Sequence, residues 1–359
     1  MLRVAVAGAG AFGRNHLRVY RELEAAGAGV ALVAVVEPDA ARAAEAADKY
    51  AIPAFSTIDE LLSADLGIAA ASVAVPTMHH HAVAAQLIDA GVDVLVEKPL
   101  AATLAEADDL IARAERAGRI VQPGHLERFN PAVLAIEPRL RRPMFFEAHR
   151  LSVFTPRSLD VDVVLDLMIH DLDIVLTFAH SPVREVRAVG LPILSPKVDI
   201  ANVRVEFESG CVANFTASRV STERVRKLRF FEPRQYVSID YARRDLLVIR
   251  VDAAGGGLPP EIAAAVAAGK ADPELLKKLA ASGAAGPGPG LSFAKPEVTP
   301  GEPLRLEIEA FLDSVRTRKP PQVTARQGRE ALALALEIQA AMAAHAQRAE
   351  LEDFFNASL

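Results

Sequence analysis

Short, mostly apolar runs punctuate the first third of the chain, at residues 2–7, 30–36, 68–75, 92–96 and 119–122. Valine, isoleucine and alanine dominate them, which is the pattern of strands buried on both faces of a sheet. Between these runs lie alanine-rich stretches of crossover length, read as helices. The alternation predicts repeated βαβ units and a doubly wound parallel sheet.

The rhythm changes near Pro123 and Gly124. Longer strand-like runs follow at 144–154, 183–189, 201–208, 211–218 and 236–241, interrupted by one helical stretch at 163–178. Turn signals such as Glu208-Ser209-Gly210 sit between successive runs and favour antiparallel pairing. The second part is therefore read as an α+β domain with a large, mostly antiparallel sheet, giving domains at 1–123 and 124–359. Within it, residues 253–300 shift to alanine, glycine and proline and read as a mobile insertion. Helical periodicity at 303–317 and 325–347 predicts two closing helices.

Composition narrows the class. A chain of 359 residues fits about two domains. Hydrophobic residues make up 51% and charged residues 24%, ordinary values for a globular protein. The net charge of −6 argues against a general nucleic-acid binder, so any anionic ligand must be met by local arginines. Cys211 is the lone cysteine, which excludes an intrachain disulfide and fits a reducing cytoplasm. Met1 leads straight into the first strand-like run, leaving no room for a secretory signal, and no apolar stretch is long enough to span a membrane. The expectation is a cytoplasmic protein with neither nucleic-acid nor membrane partners.

Gly8, Gly10 and Gly13 form a G-x-G-x-x-G directly after the first strand, with Ala11 and Phe12 inside the loop and a helical pattern beyond. The first glycine permits a tight turn, the second lets backbone approach a pyrophosphate, and the third permits close helix packing. An acid at the end of the second strand, Glu37, stands where it would accept hydrogen bonds from ribose hydroxyls. Strand, loop, helix and acid in this order predict a Rossmann dinucleotide site. The Glu37 carboxylate repels a 2′-phosphate, favouring NAD over NADP, although Arg42 and Arg14 stand nearby as cations.

Lys98 follows the 92–96 run inside Glu97-Lys98-Pro99. Open parallel sheets bind ligands at the carboxyl ends of their strands, so an ammonium there is placed to act on a substrate. Pro76, Thr77 and the run His79-His80-His81 follow the 68–75 strand. Adjacent histidines point in different directions, and no acid or cysteine is spaced to complete a metal set, so no metal is expected. A turn histidine near the nicotinamide is the better reading. Asp166 and His170 lie four apart in the predicted helix, on one face, as a general base with its electrostatic partner.

On Gly8-Ala9-Gly10-Ala11-Phe12-Gly13, the Pro76 to His80 turn, Glu97-Lys98-Pro99-Leu100 and the Asp166/His170 pair, the chain resembles the Gfo/Idh/MocA family of glucose-fructose oxidoreductases and inositol dehydrogenases. His80 stands eighteen residues before Lys98, as the family's turn histidine does, while Thr77 replaces an asparagine common in the family. The resemblance implies catalytic Lys98, Asp166 and His170, cofactor contacts from Gly8, Gly10, Ala11, Phe12, Gly13, Glu37, Pro76, Thr77, His80, Glu97 and Lys98, and assembly as a homodimer or homotetramer. A narrower similarity, carried by Gly124-His125-Leu126-Glu127-Arg128-Phe129-Asn130-Pro131, is to members that oxidise the 3-hydroxyl of UDP-N-acetylglucosamine or its uronic acid before a transamination, feeding lipid A or surface polysaccharide synthesis. It implies substrate contacts from Arg128 and Asn130, joining Lys98, Asp166 and His170. Arg150, Arg157, Arg219, Arg224 and Arg226 are candidate cations for a diphosphate. Two rival readings are a free-sugar or inositol dehydrogenase and a non-catalytic NAD-binding regulatory protein.

Overall fold

The computed structural model describes residues 1–155, 161–251 and 291–351. Six parallel strands form the first sheet: β1 (Leu2–Ala7), β2 (Val30–Val36), β3 (Ala54–Phe55), β4 (Ala70–Val73), β5 (Asp93–Glu97) and β6 (Val121–Gly124). Their spatial order is β3-β2-β1-β4-β5-β6, so the winding reverses at β1 and β4 and opens a crevice at the carboxyl ends of those strands. The connecting helices are α1 (Gly13–Ala25), α2 (Ala40–Tyr50), α3 (Ile58–Ser63), α4 (His80–Asp89) and α5 (Leu104–Ala117). Side-chain caps fix where several begin: Asp39 accepts from the Arg42 N–H, Thr57 from that of Glu60, and Thr103 closes a capping box with Glu106.

The division of the chain differs from the boundary expected at 123/124. One unit comprises residues 1–129 and 301–336, the other 130–300 and 337–359. Helix α8 (Pro303–Thr317) belongs to the first unit because its apolar stripe, Leu304, Ile308, Phe311, Leu312 and Val315, is buried in the same cluster as Val4, Val6, Leu17 and Tyr20. Such a return is invisible to a reading that cuts the chain once, since periodicity reports an apolar face and not its partner. The last helix, α9 (Ala325–Arg348), carries residues of both units.

The second unit is built on eight strands in the order β14-β13-β12-β11-β7-β10-β9-β8. They are β7 (Phe145–Leu151), β8 (Val183–Leu191), β9 (Ile200–Phe207), β10 (Val212–Ser218), β11 (Val225–Glu232), β12 (Gln235–Asp240), β13 (Asp245–Val251) and β14 (Leu291–Ala294). All neighbours are antiparallel except β7 and β10. Gly210, at φ +80°, makes the β9–β10 turn. The inner face buries Phe146, Phe215 and Phe230 together with Phe178 of α7 (Ile169–Ala179). Strands β11 and β13 went unread because Arg, Lys and Asp stand among their apolar positions, and β14 because it is only four residues long. Leu291–Ala294, inside the expected insertion, is one of them. The rest of that insertion through residue 290, and Arg157, lie outside the described residues. The helix expected over 163–178 is interrupted too: Val164–Met168 forms a π-helical turn before α7 starts.

Candidate active site

Gly8 adopts φ +98°, and a Cβ there would stand 2.4 Å from the Ala74 carbonyl oxygen. At Gly13 a Cβ would stand 2.0 Å from the Gly8 carbonyl oxygen, so both positions admit glycine alone. Gly10 is different: a Cβ would meet nothing within 4 Å, so the loop presents bare backbone to open space. Phe12, the cap of α1, makes no side-chain cap bond. Exposed backbone at a helix N-terminus fits a pyrophosphate.

A cleft of about 510 Å³ opens at this loop, lined by Gly8, Gly10, Glu37, Arg42, Pro76 and His79 among others. Glu37 is buried at its edge. Its Oε2 accepts the Ala9 N–H at 2.8 Å, and its Oε1 accepts from the Asp39 N–H at 3.1 Å and Arg42 Nη2 at 2.9 Å. Burial pushes this carboxyl up, but the Arg42 guanidinium and the two N–H groups outweigh it and hold its pKa below the ordinary value. Three donors leave part of a carboxylate's acceptor capacity for a ribose diol. The donor set therefore fits NAD, and the guanidinium that a 2′-phosphate would need is already engaged by Glu37.

Several expected contacts fall elsewhere. His80 is buried, its Nδ1 2.8 Å from the Pro99 carbonyl and its Nε2 2.9 Å from that of Val75, so its ring does not line the cleft. The histidine that does line it is His79, while His81 bonds Asp109 at 2.7 Å. Helical geometry explains the exchange, because adjacent residues at the start of α4 face different ways. Glu97, expected at the cofactor, is buried and accepts from His16 Nε2 at 2.8 Å. Lys98 follows it immediately, half-buried, at the carboxyl end of β5 and across a cis bond from Pro99. Thr77 opens a single 3₁₀ turn after Pro76, and Ala11 and Phe12 are exposed on the glycine loop. Arg128 is buried in a 3₁₀ turn (Leu126–Phe129) of the first unit.

In the second unit Asp166 sits in the π-helical turn and His170 in the first turn of α7, both half-buried. Asn130, expected at a substrate, caps helix α6 (Pro131–Ile136) through Ala132 and donates to the Tyr241 carbonyl. Two candidate phosphate-binding arginines are interior. Arg150 makes a bidentate pair with Asp171 at 2.7 and 3.0 Å and lies over the Tyr241 ring. Arg219 pairs with Asp199 at 2.7 Å and donates to Val161 and Ser195. Asp199 is pushed up by burial, yet Arg219 and the surrounding donors bring it down to about 2. The acidic partners of both arginines lie too far off in sequence for these pairings to be read from it. Arg224 is exposed and Arg226 half-buried. Cleft residues Ser56, Thr57 and Ile58 carried no sequence signal.

Among the described residues, no helix is long and apolar enough to cross a membrane, and no three His, Cys, Asp or Glu gather in a metal-holding group. A family model described as the oxidoreductase family with an NAD-binding Rossmann fold matches residues 2–125, and the Gfo/Idh/MocA C-terminal domain matches 133–234. The UDP-N-acetylglucosamine 3-dehydrogenase of Acidithiobacillus ferrooxidans is 33% identical over 348 residues, 97% of this chain and 99% of that one. A solved structure of that enzyme from the same organism is similar at a TM-score of 0.81, covering 96% of this chain and 98% of its own. Inositol 2-dehydrogenase 1 of Saccharopolyspora erythraea, also 33% identical, matches 51% of this chain and 56% of its own length. Glycine loop, acid, cleft and family matches converge, and the chain belongs to the Gfo/Idh/MocA family of oxidoreductases, with that family's NAD-binding domain.

Proposed function

We propose that the protein is an NAD-dependent dehydrogenase that oxidises the 3-hydroxyl of UDP-N-acetylglucosamine, or of a closely related UDP-sugar, to a ketone ready for transamination. What carries the reading is the similarity along nearly the whole chain to an enzyme named for that reaction, where the inositol dehydrogenase matches only about half. NAD, when bound, supplies the hydride acceptor. The hydroxyl proton goes to His170 or to Lys98 as the C–H bond breaks. Lys98 as an ammonium stabilises the alkoxide charge; as a neutral amine it is itself the base. Asp166 orients His170 or binds a neighbouring hydroxyl, and Arg128, Arg224 and Arg226 are assigned to the substrate, the last two to its diphosphate.

The outer face of the second unit's sheet supports self-association. A row of half-buried Val212, Phe145, Phe231, Tyr236 and Ile249 crosses five strands. Beside it Glu185 stands opposite Glu206 and Arg187 opposite Arg204, with Arg187 paired to Glu185 at 2.7 Å. A second copy packed on this face would cover the aromatic row, so we assign the face to a homodimer. A monomeric mass by light scattering, unchanged by Phe231→Arg, refutes the assignment.

The reaction is tested by incubating protein and NAD with a panel of UDP-sugars, inositols and free sugars, following NADH absorbance and the mass of a keto product. Turnover of inositols with none of UDP-sugars rejects the nucleotide-sugar reading. Tight NAD binding with no turnover across the panel favours a regulatory protein. UDP alone is expected to raise the melting temperature.

A further inference from the structure

The residues on either side of Lys98 are each approached by a buried histidine. On one side, fully buried His16 of α1 donates from Nε2 to Glu97 Oε1 at 2.8 Å. Its Nδ1 stands 3.0 Å from Ser72 Oγ, which stands 2.9 Å from the Tyr20 hydroxyl. Behind the Glu97 carboxylate, the His16 ring, the Ser72 hydroxyl and the Tyr20 hydroxyl thus form one continuous buried chain of hydrogen bonds. Burial raises the Tyr20 pKa, which keeps the far end a neutral hydroxyl. On the other side, His80 Nδ1 lies 2.8 Å from the carbonyl oxygen of Pro99. Neither ring lines the cofactor cleft.

We propose that His16 and His80 are positioning residues that hold Lys98 by gripping its two neighbours, and that they tie this lysine to the cofactor seat. The second half follows from where the histidines are anchored. His16 rides on the helix that begins at Gly13, and His80, directed by Nδ1 at the Pro99 carbonyl, begins the helix that follows Pro76 and His79 of the cleft lining. With residues 97 and 99 held, Lys98 has only its own side-chain torsions left. Displacement of a reacting group by about 1 Å costs about a hundredfold in rate, so loosening either grip has a kinetic signature. The inference rests on the reading of Lys98 as catalytic.

Full-length protein with NAD and the UDP-sugar it turns over provides the test. His16→Leu and His80→Leu are expected to lower kcat about tenfold to a hundredfold, with KM and NAD affinity within about threefold. The position of the donor decides recovery. A glutamine amide reaches the Nε2 position and an asparagine amide the Nδ1 position, so His16→Gln and His80→Asn recover most of the rate while His16→Asn does not. Equal rates for His16→Gln and His16→Asn overturn the proposal, and this pair remains readable should the leucine variant fail to fold. The decisive measurement is a double-mutant cycle on Lys98→Ala and Lys98→Arg, with product followed for hours by mass spectrometry. Residues acting through the Lys98 side chain change the residual rate of the Lys98→Ala protein less than about twofold. The same loss in every background means that the histidines only support the fold, and overturns the inference alone. A Lys98→Ala protein as fast as wild type overturns the underlying reading of the lysine as well.

Discussion

The first unit presents backbone where the second presents side chains. Around the glycine loop, recognition rests on a positive φ, on positions where no Cβ fits, and on N–H groups that fix Glu37. In the second unit the candidate groups, Asp166 and His170, stand on a π-helical turn and the α-helix that follows it, in a domain that also buries two Arg–Asp pairs. The contrast follows from what each must bind. A pyrophosphate and a ribose are the same in every reaction of a dinucleotide enzyme, so main chain can recognise them; a sugar varies, so its contacts must be exchangeable side chains. Lys98 stands at the limit of the first kind, a side chain held through the residues on either side of it.

The sharpest way to break the comparison is at Lys98. Lys98→Ala is expected to cut kcat/KM by about a thousandfold, within the range of general-base and charge-stabilising groups, while NAD affinity measured by calorimetry stays within about threefold. A comparable loss of NAD affinity would make Lys98 part of the cofactor seat instead. In the second unit the counterpart is the buried Arg150–Asp171 pair. Arg150→Met leaves Asp171 buried without its cation and is expected to destabilise by about 3 kcal/mol, whereas Arg150→Met with Asp171→Leu recovers most of that loss in urea unfolding. If the single variant is as stable as wild type but its KM for the UDP-sugar rises tenfold or more, Arg150 meets substrate after all.

The same division explains what could be read from the chain. Gly8, Gly10, Gly13 and Glu37 were legible because steric demands on backbone leave a residue type at a fixed spacing. The parallel sheet was legible because strands buried on both faces admit little but apolar residues. Hidden were contacts made across long sequence separations: the return of α8 to the first core, the pairing of Arg219 with Asp199, and the interior roles of Asn130 and Glu97. His80 shows the limit within one motif. The Pro76 to His80 turn was recognised, yet which of three consecutive histidines faces the cleft depends on the helix phase, set where the 3₁₀ turn at Thr77–His79 passes into α4.

A smaller effect separates backbone recognition from packing inside the first unit. Gly10→Ala adds a Cβ into open space, so melting temperature should hold while NAD affinity falls about tenfold, the methyl standing where the pyrophosphate approaches. Gly13→Ala drives a Cβ into the Gly8 carbonyl and is expected to cost about 1–3 kcal/mol of stability as well. Equal NAD affinity for wild type and Gly10→Ala would remove the pyrophosphate from this loop.

The least effect expected is on acid stability, and it tests whether a backbone-held site carries a titrating weak point. His80 is buried between two carbonyls, and burial lowers its pKa from 6.5 despite the contacts that favour its charged form; Glu97 raises it and Lys98 lowers it further. A depressed folded-state value means that the unfolded chain binds the proton first. Stability attributable to His80 is therefore whole above about pH 6.5 and declines as pH falls from there toward the folded-state pKa. Melting temperature followed from pH 7.5 downward should show this decline in wild type and a shallower one in His80→Asn, whose amide does not titrate. A steeper decline in His80→Asn would mean that the ring is protonated in the folded protein and donates to Val75 and Pro99 at once, turning the histidine from a weak point in acid into an acid-strengthened link between the cofactor turn and Lys98.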